Sequence, residues 1–221
     1  MSYGFARAIS ACEVDGQVVC LDRQANRYFA LGAVASRTVI ALSQGRGVTD
    51  QLAVSRLVAR GVLAEGQKPA TLFDWPSAGS SALERDAETK GRAADIVRIA
   101  SSLLKVQVRQ RRWAFDPTLS LMAAERSRRA ARAGSSHDHL AKALDRSGRF
   151  TAARRWAPGK PNCLTDSLAL LDFLGPVGRD ARLVFGVNMT PWAAHCWVQI
   201  DDWVLNDATH RVAAFSPIMA V

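Results

Sequence analysis

Runs of alternating apolar and polar residues near the start of the chain predict a small antiparallel sheet. Asp15-Gly16 is a two-residue hairpin signal, and it joins a run over residues 5–13 to a second run, Gln17–Asp22. A polar turn then leads to a third run, which consists of Arg27, Tyr28, Phe29, Ala30 and Leu31. Three such runs joined by short turns predict a three-stranded meander.

Helical spacing follows the predicted sheet. Apolar side chains recur at intervals of three and four residues over 33–42, which predicts a first helix. Either Thr49 or Asp50 can act as the N-cap of a second helix, which Gly61 ends. Residues 62–63 are expected to return to the core. Strands followed by helices in so short a segment indicate a small winged-helix-like module.

The middle of the chain has mainly helical patterns. Small and polar residues over 76–81 predict a linker. Amphipathic spacing predicts a helix over 93–108, another that begins at Asp116-Pro117, and a short one over 140–150.

The last part combines one helix with strands. The helix begins at Cys163 and ends at Gly175-Pro176, where glycine and proline stop it. Apolar runs over 182–187, 194–200 and 203–207 predict three strands. Helices and mostly antiparallel strands in this order indicate the α+β fold class.

Composition narrows the possible classes of protein. Of 221 residues, 48% are hydrophobic and 22% are charged, which excludes a wholly disordered chain. No apolar run approaches the roughly 18 residues of a membrane span, and the first residues lack the pattern of a secretory signal. We therefore expect a cytoplasmic protein whose four cysteines stay reduced. Cys12 and Cys20 are expected in the core of the first sheet.

Positive charge is concentrated in the middle of the chain. The net charge is +9, and sixteen of the 29 lysines and arginines lie within 91–160, beside only five acidic residues. This basic segment is interpreted either as a solvated helix face or as a platform for an acidic peptide or partner. Residues 1–90 are nearly neutral, which argues against a winged helix that binds DNA. His137 and His139 allow a metal site, but a polar loop explains them more simply.

Three residues near the end of the chain have the types and the order that a cysteine protease requires. Cys163 stands at a predicted helix N-terminus, where the helix dipole and unpaired N–H groups favour the thiolate. His195 lies on a predicted strand, and Asp207 ends the next one. In such a triad the thiolate attacks a carbonyl carbon, the imidazole transfers the proton and the carboxylate orients the imidazole. The alternatives are three unrelated residues or, with less support from their spacing, a metal site.

Strand geometry places a condition on this triad. A two-residue turn at Asp201-Asp202 would set Asp207 opposite Cys196. The Asp207 side chain would then lie on the face away from His195, because side chains alternate along a strand. A three-residue connection or a bulge is therefore expected. Trp197 shares the His195 face and is expected to shield the site from water, whereas Cys196 is expected to pack in the core.

A peptidase of this kind also needs donors for a developing oxyanion. The backbone N–H of Cys163 is the natural first donor. Asn162 is the candidate for the second, although a loop-capping role suits it equally well. His210 follows Asp207 closely and is expected on the surface.

Four short stretches in the last third of the chain form a more specific pattern. They are CLTDSLAL from Cys163, ARLVFGV from Ala181, AHCWV from Ala194 and VLND ending at Asp207. Together they resemble the B proteins of lasso-peptide biosynthesis, which are leader peptidases of transglutaminase-like (papain-like) fold. The order of elements in the first part resembles the leader-recognition domain that many of these proteins carry, a domain similar to the pyrroloquinoline-quinone chaperone. The resemblance implies a recognition domain over 1–80 and a cysteine protease domain over 90–221.

The resemblance also implies a function and partners. Cys163, His195 and Asp207 would take the triad roles and cut the leader from the core of a ribosomally made precursor peptide. In this family the leader adds a strand to an open sheet edge, here residues 27–31. The implied partners are the precursor leader and an ATP-using macrolactam synthetase, with no metal, cofactor, nucleic acid or membrane. ATP binding is not expected of this chain, which lacks a glycine-rich phosphate loop.

Two other functions stay open. A transglutaminase-like acyltransferase would resolve the same thioester with an amine instead of water, and the triad does not distinguish the two. A non-catalytic winged helix on nucleic acid would show salt-dependent duplex binding and no reactive thiol.

Overall fold

The computed structural model of the chain describes residues 2–47, 50–85, 91–132 and 139–221. Within them, two compact units can be distinguished. The first contains the chain up to Trp75 together with 187–193 and 216–219, and the second contains the rest.

Up to Trp75, the first unit consists of two small sheets and two helices. Its strands are β1 (Tyr3–Phe5), β2 (Ile9–Val14), β3 (Gln17–Asp22), β4 (Arg27–Ala30) and β5 (Leu63–Glu65). Its helices are α1 (Ala33–Ser43) and α2 (Gln51–Ala59). Strands β2, β3 and β4 form an antiparallel sheet in that order, as the turn signals predict.

The predicted first strand over 5–13 is wrong, because the chain turns in its middle. The Ile9 N–H donates to the Ala6 carbonyl at 2.8 Å, which closes a tight turn. The residues before this turn form β1, which pairs with β5 in a separate two-stranded sheet. Residues 62–63 are buried, as predicted, and Leu63 belongs to that second pair.

Strand β3 carries the core of the first unit. Val18, Val19, Cys20 and Leu21 are all buried, so both faces of the strand are covered. Cys12 on β2 is buried as well, which confirms the core prediction for the two cysteines of this sheet. Burial raises the pKa of each of these thiols to about 12, so both stay protonated at neutral pH.

Local hydrogen bonds fix the two helices of this unit. The buried Ser36 hydroxyl in α1 accepts the Val18 N–H at 3.0 Å and donates to the Leu31 carbonyl, so α1 is tied to the sheet. Asp50 caps α2 by accepting the Ala53 N–H at 2.8 Å. The other predicted cap, Thr49, lies outside the described residues.

Beyond Trp75, the described chain forms helices and a five-stranded sheet. The helices are α3 (Ala93–Arg112), α4 (Phe115–Arg132), α5 (His139–Arg154), α6 (Cys163–Leu174) and the short α7 (Thr209–Val212). The strands are β6 (Ser80–Ser81), β7 (Arg182–Met189), β8 (Trp192–Ile200), β9 (Trp203–Val204) and β10 (Ser216–Ala220). The sheet order is β10-β7-β8-β9-β6, and the mixture of helices and strands confirms the α+β class.

Three details of this sheet differ from the sequence prediction. Ser80–Ser81 was predicted as linker, but these residues pair in parallel with β9. The Ser80 N–H donates to the Asp202 carbonyl at 3.1 Å. Strand β9 ends at Val204 rather than at residue 207. Strand β10 and helix α7 have no counterpart in the prediction, since their few residues give no clear periodicity.

Several arginines of the basic segment serve the packing of the helices. They form the ion pairs Arg109–Glu125, Arg149–Asp95 and Arg154–Asp166. Part of the positive charge is thus structural, and a platform for acidic partners stays a prediction. His137 lies outside the described residues, and His139 begins α5. Among the described residues, no helix combines the length and apolar character that crossing a bilayer requires.

Of these three ion pairs, Arg149–Asp95, which joins α5 to α3, is the most buried. Asp95 is 1% exposed, and Arg149 donates to its two carboxylate oxygens at 2.6 and 3.0 Å. The hydrogen bond from Arg149 keeps the pKa of Asp95 below its usual value, against the effect of burial. The pair is therefore charged at neutral pH.

We expect Asp95→Ala to lower the free energy of unfolding by about 3–5 kcal/mol, because it leaves the Arg149 guanidinium partly buried without its partner. Urea denaturation measures this loss. The matched control is Asp180→Ala in the pair Arg179–Asp180, whose carboxylate is 59% exposed and whose removal should cost less than about 1 kcal/mol. Equal losses of unfolding free energy in both variants would contradict a special role of the buried Arg149–Asp95 pair in stability.

Candidate active site

Cys163 is the first residue of α6, and two reciprocal hydrogen bonds cap the start of this helix. The Asn162 side-chain oxygen accepts the Thr165 N–H at 3.0 Å, and the Asn162 N–H donates to Asp166 at 3.2 Å. These reciprocal bonds satisfy groups that a helix N-terminus leaves open. The Cys163 side chain is exposed, so a substrate can reach the sulfur.

Arg154 of α5 connects this helix start to the preceding loop. Its Nε donates to the Asp166 carboxylate at 2.9 Å, and its two terminal nitrogens donate to the carbonyls of Ala157 and Gly159. Asp166 is thereby bonded both to Arg154 and to the Asn162 backbone. The loop that leads into α6 is consequently fixed relative to the helix.

His195 and Asp207 form a direct pair. The His195 Nε2 lies 2.5 Å from an Asp207 carboxylate oxygen, and both side chains are largely buried. The other Asp207 oxygen accepts the Ala208 N–H at 2.9 Å. The carboxylate is thus oriented from both sides.

The connection that brings Asp207 to His195 is neither of the two expected ones. The turn at Asp201-Asp202 has two residues, since Ile200 pairs with Trp203. Regular pairing between β8 and β9 instead ends after the pair Gln199–Val204. The Leu205 N–H still donates to the Val198 carbonyl at 2.8 Å, but the Leu205 carbonyl accepts the hydroxyl of Ser147 in α5.

Side chains replace the missing ladder bonds. The Val198 N–H donates to the Asn206 side-chain oxygen at 2.7 Å instead of to a backbone carbonyl. Beyond this point the chain leaves the strand, and the Asp207 carbonyl accepts the Ser81 hydroxyl at 2.6 Å. Because the alternation of faces ends with the ladder, Asp207 is free of the restriction that regular pairing would impose.

The electrostatics of the site favour a thiolate beside an imidazolium. Hydrogen bonds from Cys196 and His195 lower the pKa of the Cys163 thiol to about 4 and outweigh the opposing effect of burial. Burial works to lower the pKa of His195, but hydrogen bonds with Asp207 and Cys163 raise it to about 9. Burial works to raise the pKa of Asp207, but the hydrogen bond from His195 leaves it below its usual value. Between about pH 4 and pH 9, both charges of the Cys163–His195 pair are present.

Cys196 has a second role beside the predicted one. It is buried, as expected, and its carbonyl accepts the hydroxyl of Ser167 in α6 at 3.4 Å. Cys196 also contributes to the lowered pKa of the Cys163 thiol, through hydrogen bonding from its side chain and its backbone. Hydrogen bonding to Cys163 and, after it, burial raise the pKa of the Cys196 thiol, so this thiol stays protonated.

Two aromatic rings flank the imidazole. Trp197 stacks on His195 with ring centroids 6.2 Å apart, and Phe215 lies on it at 5.2 Å. Gly186 of β7 leaves room for both, because a Cβ there would lie 2.8 Å from Phe215 and 2.9 Å from the Trp197 ring. The Trp197 Nε1 donates to Gln199, so its orientation is fixed. Trp197 is itself 2% exposed, and its shielding of the site from water stays a prediction.

The other predicted site residues lie elsewhere or have different partners. Asn162 has the capping role, which uses its side-chain oxygen and its backbone N–H. Residues 27–31 are in the first unit, at and just beyond the edge strand β4. The His210 side chain is 84% exposed, as predicted. Among the described residues, no group of three or more histidine, cysteine, aspartate or glutamate side chains is arranged so that it could hold a metal ion.

Comparisons with known proteins bear on the same part of the chain. A family model described as the transglutaminase-like superfamily matches residues 102–220. The chain belongs to this superfamily. Over 62 residues it is also 45% identical to the microcin J25-processing protein McjB of Escherichia coli, a stretch that covers 28% of the chain and 30% of that protein. The matched stretch is thus under a third of this relative's length, and no solved structure matches the chain.

The matched range contains every residue of this site except Ser81 and the predicted leader-binding residues 27–31. Sequence reasoning missed Arg154, Asn206 and Phe215 as part of the site. Asn206 stands next to Asp207, which was a usable signal. No sequence signal marked Arg154 or Phe215, because their partners, Asp166 and His195, lie 12 and 20 residues away on other elements.

We expect Cys163 to react with iodoacetamide as a thiolate down to about pH 4. Cys196→Ala removes a donor that stabilises the charged form, so the pKa of Cys163 rises and the midpoint of alkylation moves to higher pH. Mass spectrometry of the modified peptide at a series of pH values measures this. Cys12→Ala, a buried cysteine change in the first unit, should leave the midpoint where it is. An unchanged midpoint in Cys196→Ala would refute the role of Cys196.

Proposed function

We propose that the chain is a cysteine peptidase that cuts the leader from the core of a ribosomally made precursor peptide during lasso-peptide maturation. The observation that carries the proposal is the constellation of Cys163, His195 and Asp207 within the superfamily match. The similarity to McjB, a microcin J25-processing protein, agrees with it. By the same reasoning, the partners are the precursor leader and the macrolactam synthetase of the pathway.

The catalytic cycle follows from the charges of the site. The Cys163 thiolate attacks the carbonyl carbon of the scissile bond, and the C–N bond breaks as the His195 imidazolium gives its proton to the departing amine of the core peptide. The leader is left as a thioester on Cys163. Neutral His195 then takes a proton from water, whose oxygen attacks the thioester and releases the leader as a carboxylic acid. Asp207 orients the imidazole throughout.

Developing negative charge on the substrate oxygen needs donors. The backbone N–H of Cys163, at the N-terminus of α6, is the first one we propose. Asn162 stays the candidate for the second. Since its backbone N–H and side-chain oxygen serve the helix cap, its Nδ2 is the group that would donate.

We propose that residues 1–80 bind the leader and residues 90–221 perform the cleavage. Strand β4 is the outer strand of its sheet, which suits β-augmentation by an extended peptide. The Leu31 N–H donates to the Val18 carbonyl, so alternation along the ladder turns the N–H and carbonyl of Ala30 away from β3. Val34, which is 51% exposed at the start of α1, offers apolar contact beside this edge.

The thiols support one further element of the proposal. All four cysteines are free in the structure, and cleavage needs Cys163 reduced. A cytoplasmic setting, where thiols stay reduced, fits this requirement.

We expect Cys163→Ala to abolish cleavage of the precursor peptide encoded beside the gene and to leave binding of its leader intact, because only the nucleophile is removed. Mass spectrometry of the products and fluorescence anisotropy of a labelled leader measure the two. Cys20→Ala, at a buried cysteine outside the site, should still cleave. Cleavage by folded Cys163→Ala would refute the peptidase, and a product joined to an added amine would favour the acyltransferase.

We expect Ala30→Pro to weaken leader binding about tenfold or more, because proline removes the outward N–H and obstructs an added strand. The fold should persist, since that N–H makes no bond to β3. The matched control is Glu13→Pro, which changes an outward-facing position on the opposite edge strand β2 and should bind leader normally. Equal weakening by both, or by neither, would contradict recognition at β4.

A further inference from the structure

We propose that Asn206 is a positioning residue that aligns the three members of the catalytic triad. The proposal rests on the peptidase function above and adds a residue to its site. Asn206 precedes Asp207 in the chain, and its side chain bonds to both elements that carry the other two members.

The Asn206 amide uses its two ends for different elements. Its oxygen accepts the Val198 N–H at 2.7 Å, and Val198 lies three residues after His195 on β8. Its Nδ2 donates to the Ser167 hydroxyl at 2.8 Å, and Ser167 lies one turn after Cys163 on α6. One side chain thus bonds the strand of the imidazole and the helix of the thiol.

The network closes through Ser167. Its hydroxyl receives the Asn206 amide and donates to the Cys196 carbonyl, and Ser167 is fully buried. Cys196 follows His195 directly on β8, so this bond connects the helix of the thiol to the strand of the imidazole. A shift of Asn206 would therefore be felt on both sides of the thiolate–imidazolium pair.

The same amide explains how Asp207 reaches His195. A regular ladder would bond the Val198 N–H to the Leu205 carbonyl, but that carbonyl is bonded to Ser147. Without the Asn206 oxygen, the Val198 N–H would be left without a partner, which is costly in a buried strand. The amide thus makes the early exit from the strand stable, and the exit frees Asp207 from the strand's alternation.

This role makes a different expectation from a purely structural one. Loss of a structural hydrogen bond lowers the free energy of unfolding and leaves the surviving folded molecules with a normal site. Loss of a positioning bond alters the folded molecules themselves, because the His195 imidazole is no longer held beside Cys163. Misplacement by about 1 Å can reduce the rate by about a hundredfold.

The experiment measures folded protein only. The pH dependence of Cys163 alkylation by iodoacetamide is recorded for the wild-type chain, Asn206→Ala, Asn206→Asp and Ser167→Ala, followed by kcat and KM on the precursor peptide. We expect Asn206→Ala to move the alkylation midpoint to higher pH and to lower kcat by about 10- to 100-fold, with KM within about twofold.

The other variants separate the two bonds. Asn206→Asp keeps an acceptor for Val198 and can accept from Ser167, so it should retain more activity than Asn206→Ala. Ser167→Ala should shift the midpoint in the same direction, and its effect should not add fully to that of Asn206→Ala, because both break one network. Asn188→Ala, at an asparagine whose side chain accepts the Thr190 N–H in a turn, is the matched control and should titrate like wild type.

The proposal is overturned if folded Asn206→Ala keeps the wild-type midpoint and kcat while only its unfolding temperature falls. If Asn206→Ala does not fold, Asn206→Asp and Ser167→Ala decide the question by the same two readouts. Failure of the peptidase function itself would appear as no cleavage by the wild-type chain. The alkylation midpoints need no substrate, so they test the positioning role in that case too.

Discussion

The geometry of the site depends on where one strand stops pairing. Strand β9 contributes two residues to the ladder, and after Leu205 its backbone groups turn to side chains of neighbouring elements. Regular pairing for two residues more would point the Asp207 carboxylate away from His195. The hydrogen bond at 2.5 Å between them therefore exists because Ser147, Ser81 and Asn206 accept or supply the bonds that the ladder gives up.

The His195–Asp207 pair in turn controls the charge of the Cys163 sulfur. A hydrogen-bonded carboxylate keeps the imidazole protonated, and the imidazolium in turn favours the thiolate. The His195 and Asp207 side chains are largely buried, and Trp197 and Phe215 contact the imidazole, so these interactions act in a less polar medium than bulk water. Gly186 is part of the same arrangement, since any side chain there would displace both rings. Position, charge and desolvation thus all converge on the His195 imidazole.

Sequence reasoning recovers what local patterns encode. The helix that begins at Cys163 follows from apolar spacing and from Gly175-Pro176, and the strand that carries His195 follows from its apolar run. Asp207 is a candidate because its residue type and place after that strand suit a triad, and the family resemblance points to the same residue. Alternation of strand faces even reveals that ordinary pairing cannot work there. The actual solution lies beyond such reasoning, because it depends on the hydroxyls of Ser147 and Ser81, which are remote in sequence. The same holds for the β1–β5 pair, whose residues lie some sixty positions apart.

An exposed thiolate creates a problem of selectivity that the site alone does not solve. Cys163 lies at the surface, while the buried groups around it set its reactivity rather than the identity of the substrate. Under the proposed function, selection by the leader on β4 supplies that missing discrimination. Tethering raises the local concentration of one peptide bond to the order of millimolar, so a reactive but unselective thiolate acts mainly on the bound precursor.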